Sequence, residues 1–159
     1  MKFILFFLFS CLSLLSFAQN NSKIIFPYLD SVGSRSHQLT KLDAVQWNTM
    51  GFDLIEPYHT TFEYSILLSW SKNDQPLLIV QRTSTDEEYR WICLMNKENK
   101  VEAWLVSAYD NSEGFLNVKS IIQEDSILIN TWNLYPSPNE TTENYTINEE
   151  GFIKTISNR

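Results

Sequence analysis

Ser69 and Lys72 stand three residues apart in Ser69-Trp70-Ser71-Lys72, the spacing at which a serine nucleophile meets a lysine base in acylating enzymes. That chemistry needs the pair on the first turn of a helix. Here the pair ends a run of alternating apolar residues, and the companion Ser-Asp-Asn and Lys-Thr-Gly elements are missing, since Lys154-Thr155 is followed by Ile156. No Gly-x-Ser-x-Gly elbow occurs either. Asp86-Glu87-Glu88 and Glu149-Glu150 supply carboxylates, but a glycosidase holds two of them about 5–10 Å apart in a cleft. Both clusters fall at expected loop tips, where carboxylates are solvated. Asp110-Asn111-Ser112-Glu113-Gly114 lacks the alternating ligands and terminal glutamate of a calcium loop. His37 and His59 stand alone in polar surroundings, so a dyad would require the fold to join them. Two histidines and two cysteines exclude zinc ribbons and multi-histidine sites. The four glycines are too dispersed for a phosphate cradle. No cofactor and no metal is expected.

One constellation remains, Asn130-Thr131-Trp132-Asn133. An indole presents a flat apolar face, and neighbouring amides both donate and accept hydrogen bonds. Trp132, Asn130 and Asn133 are therefore the candidate binding residues. The competing reading buries Trp132 with Leu128 and Leu134, which share its phase opposite Ile127 and Ile129. The other tryptophans, Trp47, Trp70, Trp91 and Trp104, read first as core and cross-strand packing.

The elements that must position these residues are strands. From residue 60, Phe62, Tyr64, Ile66, Leu68 and Trp70 alternate with Glu63, Ser65, Leu67 and Ser69, the pattern of a half-buried strand. Further strand-like runs begin near Leu77, Glu88, Val101, Phe115, Ser126, Asn144 and Phe152. The intervals are too short for helical crossovers. The expectation is a mainly β chain, a single antiparallel meander of about eight strands forming a curved sheet or barrel-like fold. Asn111 to Gly114 and Asn148 to Gly151 have turn chemistry, with glycine placed for a positive φ. Lys97 to Lys100, Glu124-Asp125 and Pro136 to Glu140 are the other expected connections. The runs at 89–95 and 101–109 are apolar on both faces, so both faces need cover. Thr40 and Asp43 suggest a capped short helix over 41–50 that ends at Gly51 and supplies that cover.

The organisation expected is a signal peptide at 1–18, an N-terminal segment with the short helix at 19–59, and the meander at 60–159, the last two forming one domain. Lys2, the apolar run Phe3 to Phe17, and small residues at Ser16 and Ala18 predict cleavage before Gln19 and export to the periplasm or medium. The alternatives are a lipoprotein anchored through Cys11 and an uncleaved anchor. The apolar run continues past Cys11, against the first; it is too short to span a bilayer, against the second. If Cys11 leaves with the leader, Cys93 has no disulfide partner, and its place between Ile92 and Leu94 predicts a buried thiol. The sequons at Asn20, Asn139 and Asn144 are uninformative in so asparagine-rich a chain.

Nineteen acidic residues against twelve basic ones give a net charge of −7, which disfavours nucleic acid. The outline is similar in style to small exported β-meander proteins of bacterial envelopes, without a diagnostic motif, and that likeness assigns no residue a role. The functional expectation is a non-enzymatic binding or inhibitory module in the cell envelope. Its partner would be a basic protein, a small ligand or a glycan, with membrane contact only through the leader. A small-ligand carrier with an aromatic-lined barrel cavity is the alternative. A hydrolase built on scattered carboxylates and His37 or His59 comes third.

Overall fold

A computed structural model describes residues 26–31, 40–111, 113–149 and 151–155. The expected leader at 1–18, Cys11 within it, and His37 lie outside these residues. The strands are β1 (Tyr28–Asp30), β2 (Thr40–Leu42), β3 (Glu63–Lys72), β4 (Gln75–Thr83), β5 (Glu87–Met95) and β6 (Val101–Asn111). They continue as β7 (Leu116–Ile122), β8 (Ser126–Asn133), β9 (Asn139–Asn148) and β10 (Gly151–Thr155). A short helix α1 (Ala44–Thr49) and a 3-10 turn (Phe52–Leu54) separate β2 from β3.

All pairings are antiparallel and run in sequence order from β2 to β10, with β1 added to β7. The eight-strand expectation is met over β3 to β10, but the described sheet has ten strands. Tyr28–Asp30 and Thr40–Leu42 are three residues each, too short to display a period, and they form because β7 and β3 offer open edges. The barrel-like expectation is corrected: the sheet is open, and its end strands β2 and β10 do not pair. Instead β10 lies against β6. Gly151, at φ +130°, approaches so closely that an added Cβ would sit 3.2 Å from the Ala103 Cβ.

The helix is shorter than expected and begins with a different cap. Asp43, not Thr40, is the N-cap; its carboxylate accepts from the Gln46 backbone N–H, and the Gln46 side chain accepts from the Asp43 N–H. Thr40 is taken by β2, which pairs with Ile66 of β3. Gly51 follows the helix at φ +74°, the left-handed conformation expected of it.

Two cores result. Trp47, Met50 and Phe52 from the α1 region pack on Tyr64, Ile66, Leu78, Val80, Trp91, Cys93 and Met95. On the opposite face, Leu67, Leu77, Ile79, Ile92 and Leu94 pack against Val118, Ile122, Ile127, Ile129 and Ile147. The helix therefore covers one face of the central strands, and the sheet covers the other by rolling β7–β9 over it. This explains why β5 divides as its sequence suggests, with Trp91, Cys93 and Met95 in one core and Ile92 and Leu94 in the other.

Bulges alter the simple alternation elsewhere. In β3 the register with β4 shifts between Ile66 and Leu68, so Leu67, expected to face outward, is buried in the second core. In β6 the register with β5 passes over Glu102 and Ser107. Val101 thus joins the first core while Ala103 joins the second.

Candidate functional site

β6 pairs with β7 only at Tyr109–Asp110. Beyond that point the two strands separate, and β1 takes over the freed edge of β7 from Ser120 to Ile122. Period two then divides β1 sharply. Asp30 is fully buried, while Leu29 is 58% exposed on the outer face. Asp30 is secured by Arg90 Nη1, which donates at 2.8 Å, and by the bulged Ser107, whose Oγ donates at 2.6 Å. Arg90 also pairs with Glu88 and donates to the Ser31 carbonyl. This buried polar cluster fastens β1 into the fork between β6 and β7.

The outer face that β1 extends carries the candidate site. Pairing sets Asn117 beside Trp132 and Trp132 beside Glu140, and sets Lys119 beside Asn130 and Asn130 beside Thr142. Leu29 lies beside Ile121. These residues, without Thr142, line a groove of about 320 Å³, at the small end of ligand sites. The opposite phase of the same strands, Val118, Ser120, Ile127 and Ile129, is buried. The groove is therefore on the outside of the sheet, and Trp132 is the one aromatic residue among its lining.

Trp132 is 45% exposed, so the reading that buries it with Leu128 and Leu134 does not hold. Its cross-strand neighbours are polar, and no apolar side chain opposes the indole. Asn130 shares its face, and the Asn130 Oδ1 accepts from Thr142 Oγ1 at 2.9 Å, leaving the amide NH2 as a donor. Asn133, one residue out of phase, points to the opposite face. Its Oδ1 accepts from the Tyr135 backbone N–H at 3.1 Å and shapes the turn after β8. The structure thus joins two of the three sequence candidates and gives the third to the loop.

Asn117, Lys119, Glu140, Leu29 and Ile121 were not singled out in the sequence. The first two were within reach. An expected tip at Glu124-Asp125 fixes the β7–β8 register, which places Asn117 and Lys119 opposite Trp132 and Asn130. Glu140 follows a loop whose length sets no register by itself, and Leu29 comes from a strand with no visible period.

A second constellation surrounds Arg82 on β4. Its guanidinium lies over the Phe62 ring at 4.5 Å and the Tyr89 ring at 4.6 Å. Nη1 donates to Glu56 and Nη2 to Glu87, both at 2.9 Å. Tyr64 donates to Glu56 at 3.0 Å and Tyr109 to Glu87 at 3.4 Å. Burial pushes the Tyr64 and Tyr109 hydroxyls up to about 12, so they stay protonated at neutral pH and are poor bases. The carboxylates serve the guanidinium. This arrangement clamps the segment before β3 onto the sheet.

The remaining sequence candidates do not assemble. Ser69 and Lys72 lie on a strand, and Lys72 pairs with Asp125 at 2.6 Å. His59 packs edge-on against Phe62 and pairs with no carboxylate among the described residues. Cys93 is buried, which pushes its thiol up. Among the described residues no cluster of three metal donors occurs, and no helix is long and apolar enough to cross a membrane. No protein-family model, curated protein or solved structure matches the chain.

Proposed function

We propose that the protein is an exported, non-enzymatic binding module that takes its ligand on the outer face of β7, β8 and β9. The supporting observation is the exposed indole of Trp132 set among Asn117, Lys119, Asn130 and Glu140 in a groove on the sheet. Surface strand positions opposite polar residues gain no packing from an indole. Such a side chain repays its cost when a partner covers it, as interface tryptophans do. Strands also hold their side chains at fixed spacing, so the groove is preorganised rather than assembled on binding. A carrier with an interior cavity has less support, because the sheet is open and the groove is external.

A fragment screen followed by amide chemical shifts tests this reading. Shifts are expected to concentrate on Asn117, Lys119, Asn130, Trp132 and Glu140, and to vanish in Trp132→Ala. Hits that concentrate around Arg82, or shifts that survive Trp132→Ala, contradict it.

A further inference from the structure

We infer that the ligand of this face is an uncharged, extended oligosaccharide lying along β8; the inference rests on the reading of the face as a binding site. Charge is the first ground. The groove carries one cation, Lys119, and one anion, Glu140, in a chain of net charge −7. A basic partner would find a single carboxylate there, and an acidic partner a single ammonium. A neutral ligand uses both as hydrogen-bonding groups without leaving a charge in excess.

Unused hydrogen-bonding capacity is the second ground. Lys119 and Glu140 form no ion pair among the described residues; Lys119 shares this with Lys97, whereas Lys41, Lys72, Lys100, Lys154, Arg82 and Arg90 are paired. Asn130 keeps its NH2, and Asn117 offers both a donor and an acceptor. Lone donors, lone acceptors and groups that are both lie within one small groove. Hydroxyl groups, each donor and acceptor at once, match such a mixed set.

The third ground is a stripe of rings. A pyranose has a face of C–H bonds and a rim of hydroxyls, so it stacks on an aromatic ring while its rim bonds to amides. Trp132 makes no ring contact among the described residues and presents that surface. One step on in the same phase, just past the end of β8, stands Leu134, whose N–H donates to the Phe115 carbonyl at 2.8 Å. Tyr135 is 71% exposed, and its ring lies 6.4 Å from the Phe115 ring. Alternate residues on a strand are about 7 Å apart, so a sugar chain leaving Trp132 in the direction of β8 next meets Leu134 and Phe115, with the Tyr135 ring beside Phe115.

Calorimetric titration of the whole protein with neutral homo-oligosaccharides of increasing length, built from glucose, xylose, mannose or N-acetylglucosamine, tests the inference. Affinity for one series is expected to rise with length and then level off. Trp132→Ala is expected to weaken every length by more than about tenfold. Trp132→Phe, which keeps a ring, retains part of the affinity, and Tyr135→Ala weakens only the longer members. Binding confined to uronate or sulfated chains, yet lost in Trp132→Ala, overturns the ligand class and keeps the site. Neutral chains that bind Trp132→Ala as well as the native protein overturn both. Failure of every neutral series to bind overturns the inference, and the amide shifts with fragments then decide the site by themselves.

Discussion

Trp47 and Trp132 are the same residue type under opposite constraints. Trp47 is fully buried, its ring tilted against those of Tyr64 at 4.2 Å and Phe52 at 4.9 Å, and its Nε1 donates to the Glu56 carbonyl at 3.0 Å. Trp47→Ala should cost about 3–5 kcal/mol, while Trp132→Ala should change stability by less than about 0.5 kcal/mol. Urea denaturation of the two variants measures the difference. Asp30 presents a different balance. Replacing it by Leu takes a carboxylate away from the buried Arg90 guanidinium, a loss of about 3–5 kcal/mol. Adding Arg90→Met should recover part of that loss, and a double variant weaker than Asp30→Leu refutes the pairing. The tyrosines set the alkaline limit. Burial raises Tyr64, Tyr109 and Tyr145 to about 12, with Tyr89 also raised. Their protonated forms are favoured by the fold, so the stability tied to them is complete below about pH 10, the ordinary tyrosine value. It is lost as pH rises from there through about 12. Tyrosinate absorbance should accordingly show a late-titrating group that merges with the unfolding transition.

The glycines after β6 and β9 bring the same argument to the scale of elements. Both have positive φ, at +68° for Gly114 and +130° for Gly151, but only Gly151 has a close neighbour, Ala103. Gly151→Ala should cost about 1–3 kcal/mol, more than Gly114→Ala, because strain and crowding add. Equal losses in denaturation would refute the packing of β10 on β6. Much of this architecture was legible in advance. Strands from residue 63 onward appear near their expected starts because alternation and turn residues agree, except β9, which begins at Asn139 inside the expected Pro136 to Glu140 loop, five residues before Asn144. β1 and β2 were illegible because three residues carry no period, and their pairing depends on edges supplied by distant strands. The bulges at Leu67 and Ser107 were hidden for a related reason. A one-residue shift leaves each side of the strand with an acceptable pattern, and only the partner strand reveals it. The groove divides likewise: Trp132 and Asn130 share a phase and line it together, but Asn133 falls outside its lining because adjacency in sequence places side chains on opposite faces of a strand. Glu140 and Leu29 enter through a loop and an edge pairing that no local pattern encodes.

At the scale of the whole molecule, the sheet rolls without closing. Its central strands are covered by α1 on one face and by β7–β9 on the other, and the outward side of those covering strands carries the groove around Trp132. β8 lies between β7 and β9 from Ile127 to Asn133, so Trp132 sits on a backbone paired on both sides. The five tryptophans give five indole N–H groups to observe together. Trp47 and Trp91 are buried, and Trp104 lies on β6, away from the groove lining. The most direct test is a nitrogen-edited spectrum of the indole resonances during titration with a neutral oligosaccharide series. The account predicts that the Trp132 resonance, identified by its absence in Trp132→Ala, moves progressively while the other four stay in place. A Trp132 resonance that stays fixed while another indole responds would contradict it.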